Sequence, residues 1–299
     1  MVEPVLSVVI PTRDRWEMLT RCLTALDRAC EGVDGAVEVL VVDDASVEAV
    51  SPEQGKNISL RVVRRETAGG SSAARNLALS VTSAPLVLFI DDDIEVEVDL
   101  VERHMKHHEV HSADSEALVG LVTWTRTRPI SAHMRWLEKG GPLFAFDTIT
   151  DPGNVDAAHF CTANVSVKRS LLGKVVGPFD ERLRRFTDVE LGVRLAGVGM
   201  RLRYDELAVA WHLRHDTPAS TDDRMRVVGE ASVVLDSIHP GLAPLAAPYS
   251  KIGAVKAAAA RGLSTVAPIM PEHLADRVWS SRAAWAYAEG RRRAERTAG

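Results

Sequence analysis

Leu86-Val87-Leu88-Phe89-Ile90-Asp91-Asp92-Asp93 is the stretch that decides how this chain folds. Its unbroken apolar run predicts a strand buried on both faces, as in a parallel sheet. Acids follow at the C-terminal end of that strand, the edge where open α/β sheets bind their ligands. Adjacent carboxylates repel one another, so positive charge must offset their proximity. A hard divalent cation carrying substrate phosphates does so, because Mg²⁺ and Mn²⁺ take oxygen ligands and reach a protein through one or two carboxylates. The competing reading is an acidic turn with solvated side chains.

Upstream, residues 5–10 (VLSVVI) predict a first buried strand that ends at Pro11. Asp14 and Glu17 have capping-box spacing, and Leu19, Cys22, Leu23, Leu26 and Cys30 then recur at helical spacing. Residues 38–42 form a second strand, again followed by acids, Asp43 and Asp44. Residues 60–64 are a third, more exposed strand. Gly69-Gly70-Ser71-Ser72 leads into a helix carrying Ala73, Ala74, Leu77 and Val81. This alternation predicts a mostly parallel sheet with helices on both faces. Two strands ending in acids at one edge make a nucleotide-site pattern, with one carboxylate for base or ribose and the other cluster for metal and diphosphate. No GxGxxG follows the first strand and no GxxxxGK[ST] loop is present, so the phosphates must be neutralised by metal and arginine.

Downstream, residues 117–122 look like a strand, and 126–156 a long connection containing a short helix. Residues 159–167 read as a further strand. Thr187-Asp188-Val189-Glu190 opens a helix that Gly197 and Gly199 end, with Thr187 and Glu190 at capping-box spacing. Residues 202–204 and 207–211 are short strands closing on His212. From Asp216 the character changes. Helices over 224–237 and 273–293 flank an Ala- and Pro-dense stretch, so residues 1–215 are expected to form the main α/β domain and 216–299 a C-terminal helical extension. Trp279, Trp285 and Tyr287 beside Arg291-Arg292-Arg293 fit a helix packed on the main domain, or one docking peripherally on a membrane or a partner. His104, His107, His108 and His111 share one helix face, a spacing open to Zn²⁺ or Ni²⁺, but Lys106 and Glu109 point to a solvated helix outside the sheet.

Composition bounds the rest. The chain has 299 residues, 46% hydrophobic and 26% charged, which suits a globular α/β protein. A net charge of −5 argues against general nucleic-acid binding. Cys22, Cys30 and Cys161 form no CxxC pair, and this sparse, odd set suits a reducing cytosol. The N-terminus lacks a basic signal region and no apolar run reaches the roughly 18 residues of a span. A cytoplasmic protein is expected, with the option of the inner membrane face.

VSVVIPTRDR, LVVDDAS, SSAARNLAL, LFIDDD, FCTANVSVKRS and TDVELGVRL occur in the order seen in family-two inverting glycosyltransferases of GT-A fold, and residues 5–215 resemble that family. The resemblance implies a nucleotide-diphosphate sugar donor (UDP-, GDP- or dTDP-linked) and a Mn²⁺ or Mg²⁺ ion. It implies that Pro11, Thr12 and Arg13 line the nucleotide pocket, that Asp44 holds the base, and that Arg75 approaches the nucleotide or phosphate. Asn164, within the FCTANVSVKRS segment, is also placed with the donor. Asp91 and Asp93 match the ends of the DXD motif, Asp93 as metal ligand and Asp91 near ribose and metal, with Asp92 sharing either role. His212 is a further metal candidate, beside a structural reading. The family's base is the acid of a Glu-Asp pair opening a late helix; here Thr187-Asp188 keeps the Asp and lacks the Glu. Asp188 is thus the expected general base, and a first-turn helix acid is the alternative. The resemblance leaves the acceptor open among a natural product, a lipid-linked glycan and a peptide. Two rivals stand beside it: a sugar-phosphate nucleotidyltransferase, which would carry a Gly-rich basic loop where PTRDRW stands, and a catalytically degenerate partner subunit that binds nucleotide-sugar.

Overall fold

The computed structural model describes residues 3–139, 142–240, 242, 260 and 262–298. It divides into two compact units. The first contains the chain up to Arg126, Thr148–Glu181 and Thr187–Arg214; the second contains Thr127–Asp147, Arg182–Phe186 and the chain from His215. The change of character near residue 215 is a unit boundary, but the second unit also takes two stretches that a single cut at 215/216 assigns to the first.

The first unit is built on an eight-stranded mixed sheet. Its strands are β1 (Pro4–Thr12), β2 (Ala36–Asp43), β3 (Ser59–Arg64), β4 (Leu86–Ile90), β5 (Ile94–Val96), β6 (Glu116–Trp124), β7 (Asn164–Lys168) and β8 (Arg201–His212). They lie in the order β3-β2-β1-β4-β7-β6-β8-β5. β3, β2, β1 and β4 are mutually parallel, β7 runs antiparallel to β4 and β6, and β5 antiparallel to β8. Central β4 is buried at every residue, which is why its sequence is an unbroken apolar run rather than an alternation. The helices are α1 (Trp16–Ala29), α2 (Gly70–Val81), α3 (Leu100–Val110), α4 (Ala132–Glu138, in the second unit), α5 (Arg169–Leu172) and α6 (Thr187–Gly197). α1 buries Leu19, Cys22, Leu23 and Leu26.

Several local expectations change. β1 runs through Pro11 to Thr12, because proline φ suits a strand and its missing N–H costs nothing where no donor is needed. Asp14 does not cap α1. Arg15 holds that position, while Asp14 sits at φ 54° and its Oδ1 accepts the Val47 N–H at 2.7 Å, tying the β1 and β2 exits together. β7 starts at Asn164, since 157–159 form a 3₁₀ turn. The two short strands before His212 are one, β8, whose pairing with β6 shifts register after Gly120.

The histidine helix covers the sheet with Lys106 and Glu109 exposed as expected, but its histidine face turns inward. His104 is wholly buried and His108 is 8% exposed, both against β7. Asn164 Nδ2 donates to the carbonyls of Ala208 (2.8 Å) and Leu121 (3.2 Å), so its Oδ1 must accept from His104 Nε2 at 2.9 Å. His104 Nδ1 then accepts the Ser166 hydroxyl at 2.7 Å, and Ser166 Oγ accepts His108 Nε2–H at 2.9 Å. Every proton direction in this chain is fixed, and both rings are neutral. Burial, the largest influence, pushes them down to about 4 and about 3. The spacing of His104 and His108 thus serves packing against β7.

The second unit pairs α7 (Pro218–Ile238) with α8 (Glu272–Ala298). Thr217 and Ser220 cap α7 reciprocally, with Pro218 in the first turn. Gly229 and Gly290 sit where the helices touch backbone to backbone, and a Cβ at either would collide with the opposite main chain. Trp279 and Tyr287 are 2% exposed, and Tyr287 Oη donates to Ser232 at 2.9 Å. Arg291 pairs with Asp236 and Glu295, and Arg292 covers the Trp285 ring. Trp279, Tyr287 and Arg291 are therefore spent within the unit. The Ala- and Pro-dense stretch lies mostly outside the described residues. No described helix is long and apolar enough to cross a membrane.

Candidate active site

The C-terminal ends of β1, β2 and β4 bring Thr12, Asp43 and Asp91–Asp93 to one edge, as parallel register requires. Asp91 meets Arg75 of α2, whose Nη2 donates to Asp91 Oδ1 at 2.6 Å. Arg75 is 3% exposed, its guanidinium packs on the Phe179 ring at 5.5 Å, and its Nε has no hydrogen-bond partner. Asp92 accepts the Thr12 hydroxyl at 2.8 Å and Arg15 Nη1 at 2.8 Å; Arg15 Nη1 also lies 3.0 Å from Asp93 Oδ2. Arg15 is thus a site residue the sequence reading missed, and its spacing from Thr12 was the available signal. Burial, only partly offset by Arg15, pushes Asp92 up to about 6, with Asp93 and Asp91 adding to the rise.

His212 Nε2 is 3.8 Å from Asp93 Oδ1. Its Nδ1 accepts the Arg214 N–H at 3.2 Å, which puts the ring proton of a neutral imidazole on Nε2. To ligate a metal through Nε2 the ring would have to change tautomer and give up that bond.

Asp44 is 4% exposed and already engaged. Its oxygens accept the Gly69 N–H (2.9 Å) and Gly70 N–H (2.7 Å), and Arg65 Nε lies at 2.9 Å. It anchors the loop entering α2, which carries Arg75. Pro11 lies inside β1 opposite Val42, and the exposed Arg13 lies 3.5 Å from Asp14. Asn164 is a correction: it is fully buried and its whole amide serves the sheet and His104, leaving nothing for a nucleotide.

Asp188 opens α6, half-buried, with its Oδ1 accepting its neighbour's N–H, that of Val189, at 3.0 Å. Burial raises its pKa above the ordinary carboxylate value; the Arg75 charge opposes the rise and the Asp91 charge adds to it. α6 reaches this place because Gly192 lets it press on the 157–160 turn, where a Cβ would lie 2.5 Å from the Ala157 carbonyl oxygen. Glu190 points elsewhere, its two oxygens forming a fork with Arg194 at 2.6 and 2.8 Å. Burial, with Asp188 and Asp91 adding to it and Arg75 opposing, pushes the Cys161 thiol up to about 12, so it stays neutral.

Acids gathered at the C-terminal edge of a mixed α/β sheet, with a separate carboxylate opening a late helix, make the ligand-binding edge of an open α/β protein. The sequence profile of Glycosyl transferase family 2 matches residues 7–175, and the chain belongs to that family. It is 25% identical over 242 residues to the pre-mycofactocin glycosyltransferase of Mycobacterium tuberculosis, covering 78% of this chain and 48% of that protein. The chain thus spans about half the length of that relative. The uncharacterized glycosyltransferase YfnE of Bacillus subtilis is 28% identical, covering 74% of this chain and 67% of YfnE. The crystal structure of S. aureus TarS 1-349 in complex with UDP superposes with a TM-score of 0.52 at 17% identity, covering 98% of this chain and 90% of that one, which shows the same fold.

Proposed function

We propose that this chain transfers a sugar from a nucleotide-diphosphate donor to an acceptor nucleophile with inversion, using Asp188 as general base. The observation that carries the reading is Asp188 at the opening of α6, half-buried, its pKa raised by burial and within electrostatic reach of the Arg75–Asp91 pair. A base works best when its pKa is drawn toward the working pH, and desolvation draws Asp188 that way.

The acids fit a hard cation. Asp91 and Asp93 are oxygen donors beside Asp92, which burial, with the neighbouring Asp93 and Asp91 charges adding to it, pushes up to about 6 against the opposing Arg15 charge. Hard divalent ions bind a protein through one or two carboxylates and take their remaining ligands from substrate phosphates and water. Asp91 and Asp93 would hold Mn²⁺ or Mg²⁺, which when bound supplies charge stabilisation to the departing diphosphate. Arg75, with its unpartnered Nε, supplies a buried cation and a spare donor toward phosphate or ribose oxygens. Asp188 takes the proton from the acceptor hydroxyl as its oxygen attacks the anomeric carbon from the face opposite the nucleotide. A single displacement inverts the configuration. Asp44 acts by holding Gly69 and Gly70, and through them α2 and Arg75, as well as by any contact with the base.

A uridine nucleotide is the first donor to try, because TarS structures contain UDP and UDP-GlcNAc. The acceptor classes remain a natural product, a lipid-linked glycan or a peptide. The test is a thermal-shift screen of UDP-, GDP- and dTDP-sugars with Mn²⁺, followed by nucleoside diphosphate release with and without acceptor extracts. A donor at a hundred times its Kd stabilises by about 2.7 kcal/mol. Stabilisation by one donor class and acceptor-stimulated release support the reading; binding without release supports the degenerate partner subunit.

A further inference from the structure

Two arginines neutralise three adjacent acids at the sheet edge, and they differ in freedom. Arg75 has a side chain 4% exposed, bonds Asp91 at 2.6 Å and is packed on Phe179. Arg15 has a side chain 42% exposed, and its described polar contacts are Asp92 (2.8 Å) and Asp93 (3.0 Å) alone. Its backbone is nonetheless fixed. Arg15 is the N-cap of α1, and the loop before it is tied by Asp14 N–H to Ser46 Oγ (2.9 Å) and Val47 N–H to Asp14 Oδ1 (2.7 Å). A pinned backbone with a half-exposed head allows the guanidinium to leave the acids without disturbing the fold. Arg15 occupies Asp92 Oδ1 and Asp93 Oδ2, so a divalent cation drawing on either oxygen competes with it.

We propose that Arg15 is an exchangeable counter-cation: it holds Asp92 and Asp93 while no metal is bound, is expelled by the divalent ion, and then turns onto the donor's diphosphate. The acid half of this exchange stands on the Arg15 geometry; the diphosphate half rests on the nucleotide-sugar reading above. Charge accounting agrees. With Arg15 bound, the two guanidinium charges fall one short of three carboxylates. With a divalent ion bound and Arg15 still nearby, one positive charge becomes available to the diphosphate. Metal alone must evict Arg15 with nothing to receive it, so it binds weakly. Metal with nucleotide gives Arg15 a new partner, so each strengthens the other by the same factor.

The experiment is Mn²⁺ titration of the full chain, followed by the electron paramagnetic resonance signal of free Mn²⁺, alone and with UDP, GDP or dTDP. Wild type is compared with Arg15→Ala, Arg15→Gln and Arg15→Lys, each checked by circular dichroism. The expected result is Mn²⁺ bound alone at least tenfold tighter by Arg15→Ala and Arg15→Gln than by wild type, with Arg15→Lys nearer wild type. The nucleotide should strengthen Mn²⁺ binding at least tenfold less in Arg15→Ala than in wild type. Equal or weaker Mn²⁺ binding by the folded neutral variants overturns the proposal, as does no Mn²⁺ binding by any of the proteins. If the neutral variants bind Mn²⁺ more tightly yet no nucleotide affects any protein, exchange at the acids is upheld and the nucleotide reading is what fails.

Discussion

Arg75 and Asp91 form a 2.6 Å ion pair in which the arginine side chain is 4% exposed and the acid 35%. The cation is the fixed member, and the acid faces outward. Removing the cation leaves Asp91 and Asp188 without their shared opposite charge. Breaking a buried pair costs about 3–5 kcal/mol, and the exposure of Asp91 moves this one to the lower end or below. Arg75→Met is therefore expected to lose about 2–3 kcal/mol in urea unfolding and to bind nucleoside diphosphate more weakly. Unchanged nucleotide affinity would remove Arg75 from the site.

Asn164→Ala should separate a structural role from a binding one. The change strands the Ala208 and Leu121 carbonyls and His104 Nε2. An expected loss of about 2–3 kcal/mol follows from leaving buried polar groups unpaired. Calorimetric nucleotide affinity of the folded variant should match wild type; a tenfold loss would return Asn164 to the donor pocket.

Acid should weaken the β7 core through its histidines. His104 and His108 are depressed to about 4 and about 3 from an unfolded value near 6.5. Unfolded chains bind more protons across that window, so stability is full above about pH 6.5 and falls as pH drops toward 4. Asp92, raised to about 6, acts in the opposite sense, favouring the folded state as pH falls from 6 to 4, but it is common to both proteins compared here. His108→Gln keeps an N–H for Ser166 and cannot titrate. Between pH 7.5 and 5.0 it should lose about 1–2 kcal/mol less than wild type in urea melts. Equal losses would contradict the buried neutral assignment.

Gly192→Ala is expected to push α6 off the 157–160 turn, where the added Cβ would also lie 2.6 Å from Phe160 Cβ. Turnover should fall more than donor affinity, because Asp188 rides on α6 and Asp91 does not. Wild-type turnover would show that α6 can yield without moving its base.

The sheet edge was legible because parallel strands announce themselves as apolar runs and their acids fall in register at one end. Asp91–Asp93 follow from that logic, while Arg75, which meets Asp91, and Asp188 were expected from motif order. Pairing partners were not legible. Asn164 sits in a motif segment, yet its amide is spent in the core on Ala208, Leu121 and His104, all distant in sequence. The histidine face was misread because Lys106 and Glu109 suggested water, while Ser166 and Asn164, distant in sequence, supplied the polar partners that let imidazoles be buried. Arg15 was not legible from its spacing to Thr12 alone, because its partners Asp92 and Asp93 lie far along the chain.

Asp188→Asn tests the central claim most directly. Asparagine keeps the size and the acceptor for the Val189 N–H but cannot take a proton. Donor affinity by calorimetry should stay within a few-fold of wild type, while acceptor-dependent release of nucleoside diphosphate falls by about 10²-fold or more. Wild-type turnover should also decline as pH falls through the raised Asp188 pKa, since only the ionised form is a base. Turnover in Asp188→Asn close to wild type, on a preparation that binds donor normally, would contradict the account.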